Sequence, residues 1–165
     1  MSLVASAAAA LAPWARLYND SKVVSTGVTF AHIGGILLGG GCAVAGDRMS
    51  LRFRSMDPAC QHTHLDELSE LHRPVLVGLS VTFVSGFLQL AADLTTYLGS
   101  VVFWAKMAIV ATLLLNGIQL LRAERALRLD TVRPENRWGR IRRAAIVSLT
   151  LWFSATLLGT AMLAF

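Results

Sequence analysis

The chain has 165 residues, 55% of them hydrophobic and 15% charged, a net charge of +5 and a mean hydropathy of +0.57. Soluble domains carry about 25% charged residues, so the composition excludes an ordinary soluble domain. Cys42 and Cys60 are the only cysteines, and they fall at different depths of the predicted fold, which argues against a bridge between them.

Residues 3–18, LVASAAAALAPWARLY, are rich in helix-forming alanine and leucine. The run is too short to span a bilayer, and Trp14, Arg16 and Tyr18 suit an interface, so a short interfacial helix is predicted. No basic residue precedes it, and no secretory signal is expected. Asn19-Asp20-Ser21 then supplies a break and an N-cap. The first span follows at about 22–46. Within it, Val23–Gly46 has 24 residues and no formal charge, enough helix to cross a core of about 30 Å at about 1.5 Å per residue.

The polar segment 47–73 carries four arginines, with LDELSELH at 65–72 patterned as a helix. The second span is predicted at about 74–92, where Gly78, Thr82 and Gly86 repeat every four residues and mark a close helix contact. A short connection at 93–100 has no Lys or Arg. The third span, about 101–121, contains Lys106. A basic loop at 122–143 holds eight arginines, and the fourth span runs over about 144–164. The predicted fold is all-α: a single domain over 1–165, an integral membrane four-helix bundle with a short N-terminal interfacial helix.

The segments 47–73 and 122–143 hold 12 of the 15 basic residues. By the positive-inside rule both face the cytoplasm and both termini lie outside. Trp14, Tyr18, Tyr97 and Trp104 would then form an outer aromatic belt. The arginines are explained by topology and anionic lipid, so no nucleic-acid partner is expected.

Depth decides which residues can meet. His32 should lie roughly 13 Å down span one and Lys106 roughly 8 Å down span three. Ser85 and Gln89 fall in the outer half of span two, and Ser154, Thr156 and Thr160 in the middle and outer half of span four. Polar groups converging at one level of an apolar bundle are where a cofactor or substrate sits. An ionisable residue at membrane depth is a functional candidate by default. His32 suits haem iron or proton shuttling. The plainer alternative is a histidine bonded to a neighbouring helix. Lys106 suits an anionic partner such as a haem propionate, or else snorkels to the interface. Gly35 and Gly39 share the His32 face and give room to a macrocycle or to a packed helix, while Gly27, Gly34 and Gly41 recur every seven residues.

Cys60, His62 and His64, with Met49 and Met56 upstream, mix ligands suited to copper or zinc, although the spacing matches no strong signature and an ordinary solvated loop is the plainer reading. His72 lies too far from His32 in depth to share one haem. The sequence displays no Gly-rich phosphate loop, no Ser-His-Asp arrangement and no paired carboxylates within the membrane.

TFAHIGG around His32 and VFWAKMAIV around Lys106 resemble the first and third spans of the HemJ-type protoporphyrinogen oxidase. HRPVLVGLSVTFVSGFLQLAAD is similar to the second span of the group that includes the oxidase and the copper-resistance D-type membrane domain. The chain departs from the oxidase in lacking a histidine in span four and in a longer cytoplasmic loop. The resemblance therefore implies a b-haem or porphyrin site in a four-helix bundle of the bacterial inner membrane, rather than one named reaction.

Three functions are compatible with these residues. The first is a membrane redox protein binding haem b through His32 and Lys106, with Gly35, Gly39 and Gln89 around the cofactor. Its electrons would pass to a quinone or a partner subunit, with a porphyrinogen oxidase as the enzymatic variant. The second is a cofactor-free structural subunit of a larger membrane complex. The third is a copper-handling protein using Cys60, His62 and His64.

Overall fold

The computed structural model describes residues 3–52, 58–129 and 134–161, with the side chains of 3, 58–65, 127, 129 and 134–138 left aside. Six helices follow in order: α1 (Leu3–Asp20), α2 (Lys22–Arg52), α3 (Pro58–Ala92), α4 (Leu94–Gly99), α5 (Val101–Leu129) and α6 (Pro134–Ala161). Four of them contain stretches long and apolar enough to cross a membrane: Lys22–Arg52, Asp66–Ala92, Val101–Ala126 and Gly139–Ala161. The chain is an all-α, multi-pass membrane protein.

Only 11–22% of the most apolar window of each span is buried within the chain. Phe30, Leu37, Phe83, Phe153 and Leu157 are all more than two-thirds exposed. Such surface is untenable in water and is covered by lipid tails in a bilayer.

Helices are cut where the sequence says they should be. Ser21 interrupts α1 and α2, its Oγ accepting from the Val24 N–H at 3.4 Å. Asp93 caps α4, accepting from the Thr96 N–H at 3.3 Å, and Ser100 caps α5 through the Phe103 N–H at 3.3 Å. These side chains satisfy donors that have no partner inside the helix.

At the other end the helices outrun the predicted spans. The segments 47–73 and 122–143 are mostly helical, and only 53–57 and 130–133 separate α2 from α3 and α5 from α6. Leucine, alanine, glutamate and arginine are good helix formers. Their polarity made these stretches read as loops, whereas hydropathy reports the solvent and not the backbone. Cys60, His62 and His64 consequently stand on the first turns of α3 and not in a loop.

The aromatic residues gather at the α4 end, as expected. Trp14 Nε1 donates to the Leu88 carbonyl at 2.9 Å and ties α1 to α3. Trp104 Nε1 donates to the Leu98 carbonyl at 3.0 Å, and Tyr97 packs on Phe103 with centroids 5.8 Å apart. Burial, with Tyr18 and Asp93 nearby, holds the Tyr97 phenol above its ordinary value.

Around the bundle, α3 packs on α2, α2 on α6, and α6 on α5. The α2–α3 seam is made of glycine. A Cβ on Gly35 would stand 2.8 Å from both the Gly78 carbonyl and the Thr82 nitrogen, and one on Gly39 would stand 3.2 Å from the Leu79 nitrogen. A Cβ on Gly78 would overlap the Gly39 backbone. Backbones this close gain dispersion and Cα–H···O contacts that larger residues forbid. Gly27, Gly34 and Gly41, in contrast, have nothing within 4 Å. The seven-residue glycine repeat therefore faces outward.

Candidate functional site

Two polar layers cross the bundle. The first lies toward the α4 end and is centred on His32. Its Nδ1 is 3.1 Å from the Thr82 carbonyl and 3.2 Å from Ser85 Oγ, both on α3. A carbonyl only accepts, so Nδ1 carries the proton in this contact and the neutral ring leaves its lone pair on Nε2. Ser85 Oγ is itself engaged, donating to the Val81 carbonyl at 2.6 Å. Among the described residues His32 Nε2 has no hydrogen-bond partner.

Gly86 seats the ring. A Cβ there would come within 3.1 Å of His32 Cε1. By its spacing Gly86 belongs to the helix-packing repeat of Gly78 and Thr82. The structure gives it this further duty, because α3 must be bare where the imidazole lies across it.

Lys106 is half-buried, and its Nζ lies against α6, 3.6 Å from where a Cβ on Gly159 would stand. It is close enough to His32 for the two to interact electrostatically. Depth counting thus holds for His32, Ser85 and Lys106, whereas α6 offers Gly159 and not its hydroxyls: Thr156 and Thr160 are exposed and donate to the Trp152 and Leu157 carbonyls of their own helix. Gln89 is half-buried on α3, one turn beyond Ser85. Gly35 and Gly39 are buried, and the space beside them is filled by the α3 backbone. Any macrocycle at His32 would have to stand on another side of the ring.

The second layer lies toward the arginine-bearing end, about 15 residues or ~22 Å further along α2. Asp47 and Glu124 are 3% and 5% exposed. Glu124 Oε2 is 3.3 Å from His72 Nε2, and Ser148 of α6 is buried with them. Asp47 Oδ2 and Glu124 Oε1 are buried without a partner. Asn116 donates to the Ala144 carbonyl at 2.9 Å. The packing thus buries two carboxylates that the sequence places in polar segments. Asp47 and Glu124 were read as loop charges because they lie at the ends of the apolar runs. The signal that finds Asp47 is the Gly35–Gly39 face, which reaches it two turns further on at 3.6 residues per turn.

His72 and Glu124, with Asp66 and Arg128 at 2.7 Å, join α3 to α5 by side chains. His72 stands 10 and 13 residues before Thr82 and Ser85, roughly 15–20 Å along α3, so it cannot share a planar cofactor with His32. Among the described residues no three His, Cys, Asp or Glu side chains converge to hold a metal ion. The side chains of Cys60, His62 and His64 lie outside the described residues.

Comparison with protein-family models, with curated proteins and with solved structures gave no match. The fold and site define a four-span helical membrane protein, and the resemblance to the HemJ and copper-resistance D groups rests on its short motifs alone.

Proposed function

We propose that the chain is a haem-binding membrane redox protein, with His32 as an axial ligand and Lys106 as the partner of a propionate. One observation carries the reading: His32 gives its Nδ1–H to the Thr82 carbonyl and leaves Nε2 available. A backbone carbonyl behind a histidine fixes its tautomer and ring plane, which is how ligating imidazoles are held. Haem, when bound, supplies one-electron chemistry. The chain's part is to hold the ring, exclude water with an apolar bundle and place one positive charge nearby. Electrons would pass to a quinone or a partner subunit.

By the positive-inside rule, the arginine-bearing end faces the cytoplasm and both termini lie outside a bacterial inner membrane. Absorption spectroscopy of the purified protein tests the cofactor. A Soret band with sharp α and β bands on reduction is expected, and a spectrum of aromatic residues alone would refute haem.

A second reading is a cofactor-free structural subunit. It is favoured by Gly27, Gly34 and Gly41, which face outward with nothing against them and offer a helix of another protein a close approach. Copper handling by Cys60, His62 and His64 gains no support from the described residues.

A further inference from the structure

Between α5 and α6, at the arginine-bearing end, lies a cavity of about 480 Å³. Its walls are graded. Arg122, Gln119 and Asn116 follow one another at successive turns on α5. On α6 the order is Arg140, Arg143 and then Val147. Both stripes run from guanidinium at the mouth to amide or apolar groups deeper in the span.

The three guanidiniums are available. Among the described residues the arginine ion pair is Arg128 with Asp66, and none of Arg122, Arg140 and Arg143 has a carboxylate partner. Arg143 Nε donates to the Gly139 carbonyl at 3.4 Å, which leaves its terminal nitrogens unengaged. Three like charges around one hollow repel each other unless an anion lies between them. Their positions on helix faces, and not in the connection, make this more than a topological signal.

We propose that this cavity binds one anionic phospholipid. The phosphate sits among Arg122, Arg140 and Arg143, where paired N–H donors match phosphate oxygens. Gln119 reaches the glycerol-ester level, and an acyl chain runs down over Val147. A free phosphate would use the arginines but has no use for the apolar lower wall. Nucleic acid, too, would leave the apolar lower wall at Ala144 and Val147 unused. Basic pockets between membrane helices near the cytoplasmic surface are a known setting for such head groups. The inference is independent of any cofactor at His32.

The test is native mass spectrometry of the full chain released from micelles containing equal phosphatidylglycerol and phosphatidylcholine. The parent should retain one phosphatidylglycerol in preference. Replacing Arg122, Arg140 and Arg143 together by glutamine should cut that preference on the order of a hundredfold. A control with Arg48, Arg125 and Arg142 replaced by glutamine removes the same charge outside the cavity and should behave as the parent. Val147→Trp keeps every arginine and fills the apolar wall, so it should also expel the lipid. Equal lipid retention in the cavity triple and the parent would overturn the proposal, as would equal loss in the control triple. Displacement of the lipid by millimolar inorganic phosphate would show an anion site without lipid character, and would overturn it too.

Discussion

Gly35→Ala should loosen the bundle at its tightest seam. The new Cβ would stand 2.8 Å from the Gly78 carbonyl and the Thr82 nitrogen, and ordinary contact begins near 3.4 Å. The nearest obstacle is the Thr82 hydroxyl at 2.5 Å and the other two are backbone atoms, so even with the hydroxyl turned away α2 and α3 must part by roughly 0.6 Å, and a gap of that size forfeits a quarter or more of each contact's attraction. Overpacking of this kind costs about 1–3 kcal/mol. The His32–Thr82 contact starts at 3.1 Å. It would stretch to roughly 3.7 Å, beyond hydrogen-bond reach, losing about 1 kcal/mol more. The helix-propensity gain from alanine returns at most about 1 kcal/mol, leaving a net loss of about 1–3 kcal/mol. Gly34→Ala is the internal control, because nothing lies within 4 Å of it. Thermal unfolding of both variants in the same detergent gives the comparison. Gly35→Ala should unfold several degrees below the parent and Gly34→Ala at or slightly above it. Equal midpoints for the two variants would refute the glycine seam.

Other outcomes follow from the same geometry. Lys106→Met keeps length and apolar volume, so it should leave the iron coordination spectrum intact and weaken haem retention about tenfold, as loss of one charge-assisted bond implies; retention equal to the parent would return Lys106 to a snorkelling role. A cysteine placed at Arg128, in a chain freed of Cys42 and Cys60, should resist a membrane-impermeant reagent in intact cells. Labelling from outside would reverse the orientation. Replacing Cys60, His62 and His64 together by alanine should leave metal content and expression unchanged, and loss of a stoichiometric metal would move copper or zinc forward.

Hydropathy and charge made the four spans legible, because lipid demands long apolar runs and arginine loops mark one side. The break at Ser21 was equally readable from local chemistry, whereas the caps at Asp93 and Ser100, with the short helix α4 between them, came only with the structure. The full lengths of α2, α3, α5 and α6 were not, since helix propensity continues where hydropathy stops. At the site, counting depth from helix rise brought His32, Ser85 and Lys106 to one level. It said nothing about rotation around each helix axis. That is why the α3 backbone at Gly35 and Gly39, the seat that Gly86 provides and the burial of Asp47 and Glu124 emerged only with the packing. Gly27, Gly34 and Gly41 looked like a packing face by spacing, and their outward direction depends on which face α3 selects. Gly35 and Gly39 win because α3 offers Gly78 opposite them, so both backbones can close.

Haem held by His32 through Nε2 is the proposal on which the other cofactor predictions depend. Its most direct measurement is the reduced-minus-oxidised spectrum, with haem content per chain, of His32→Ala purified beside the parent. The parent should hold haem, and the variant should either lose it or show altered α and β bands from a changed coordination state. Equal haem content with an unchanged spectrum in His32→Ala would contradict it.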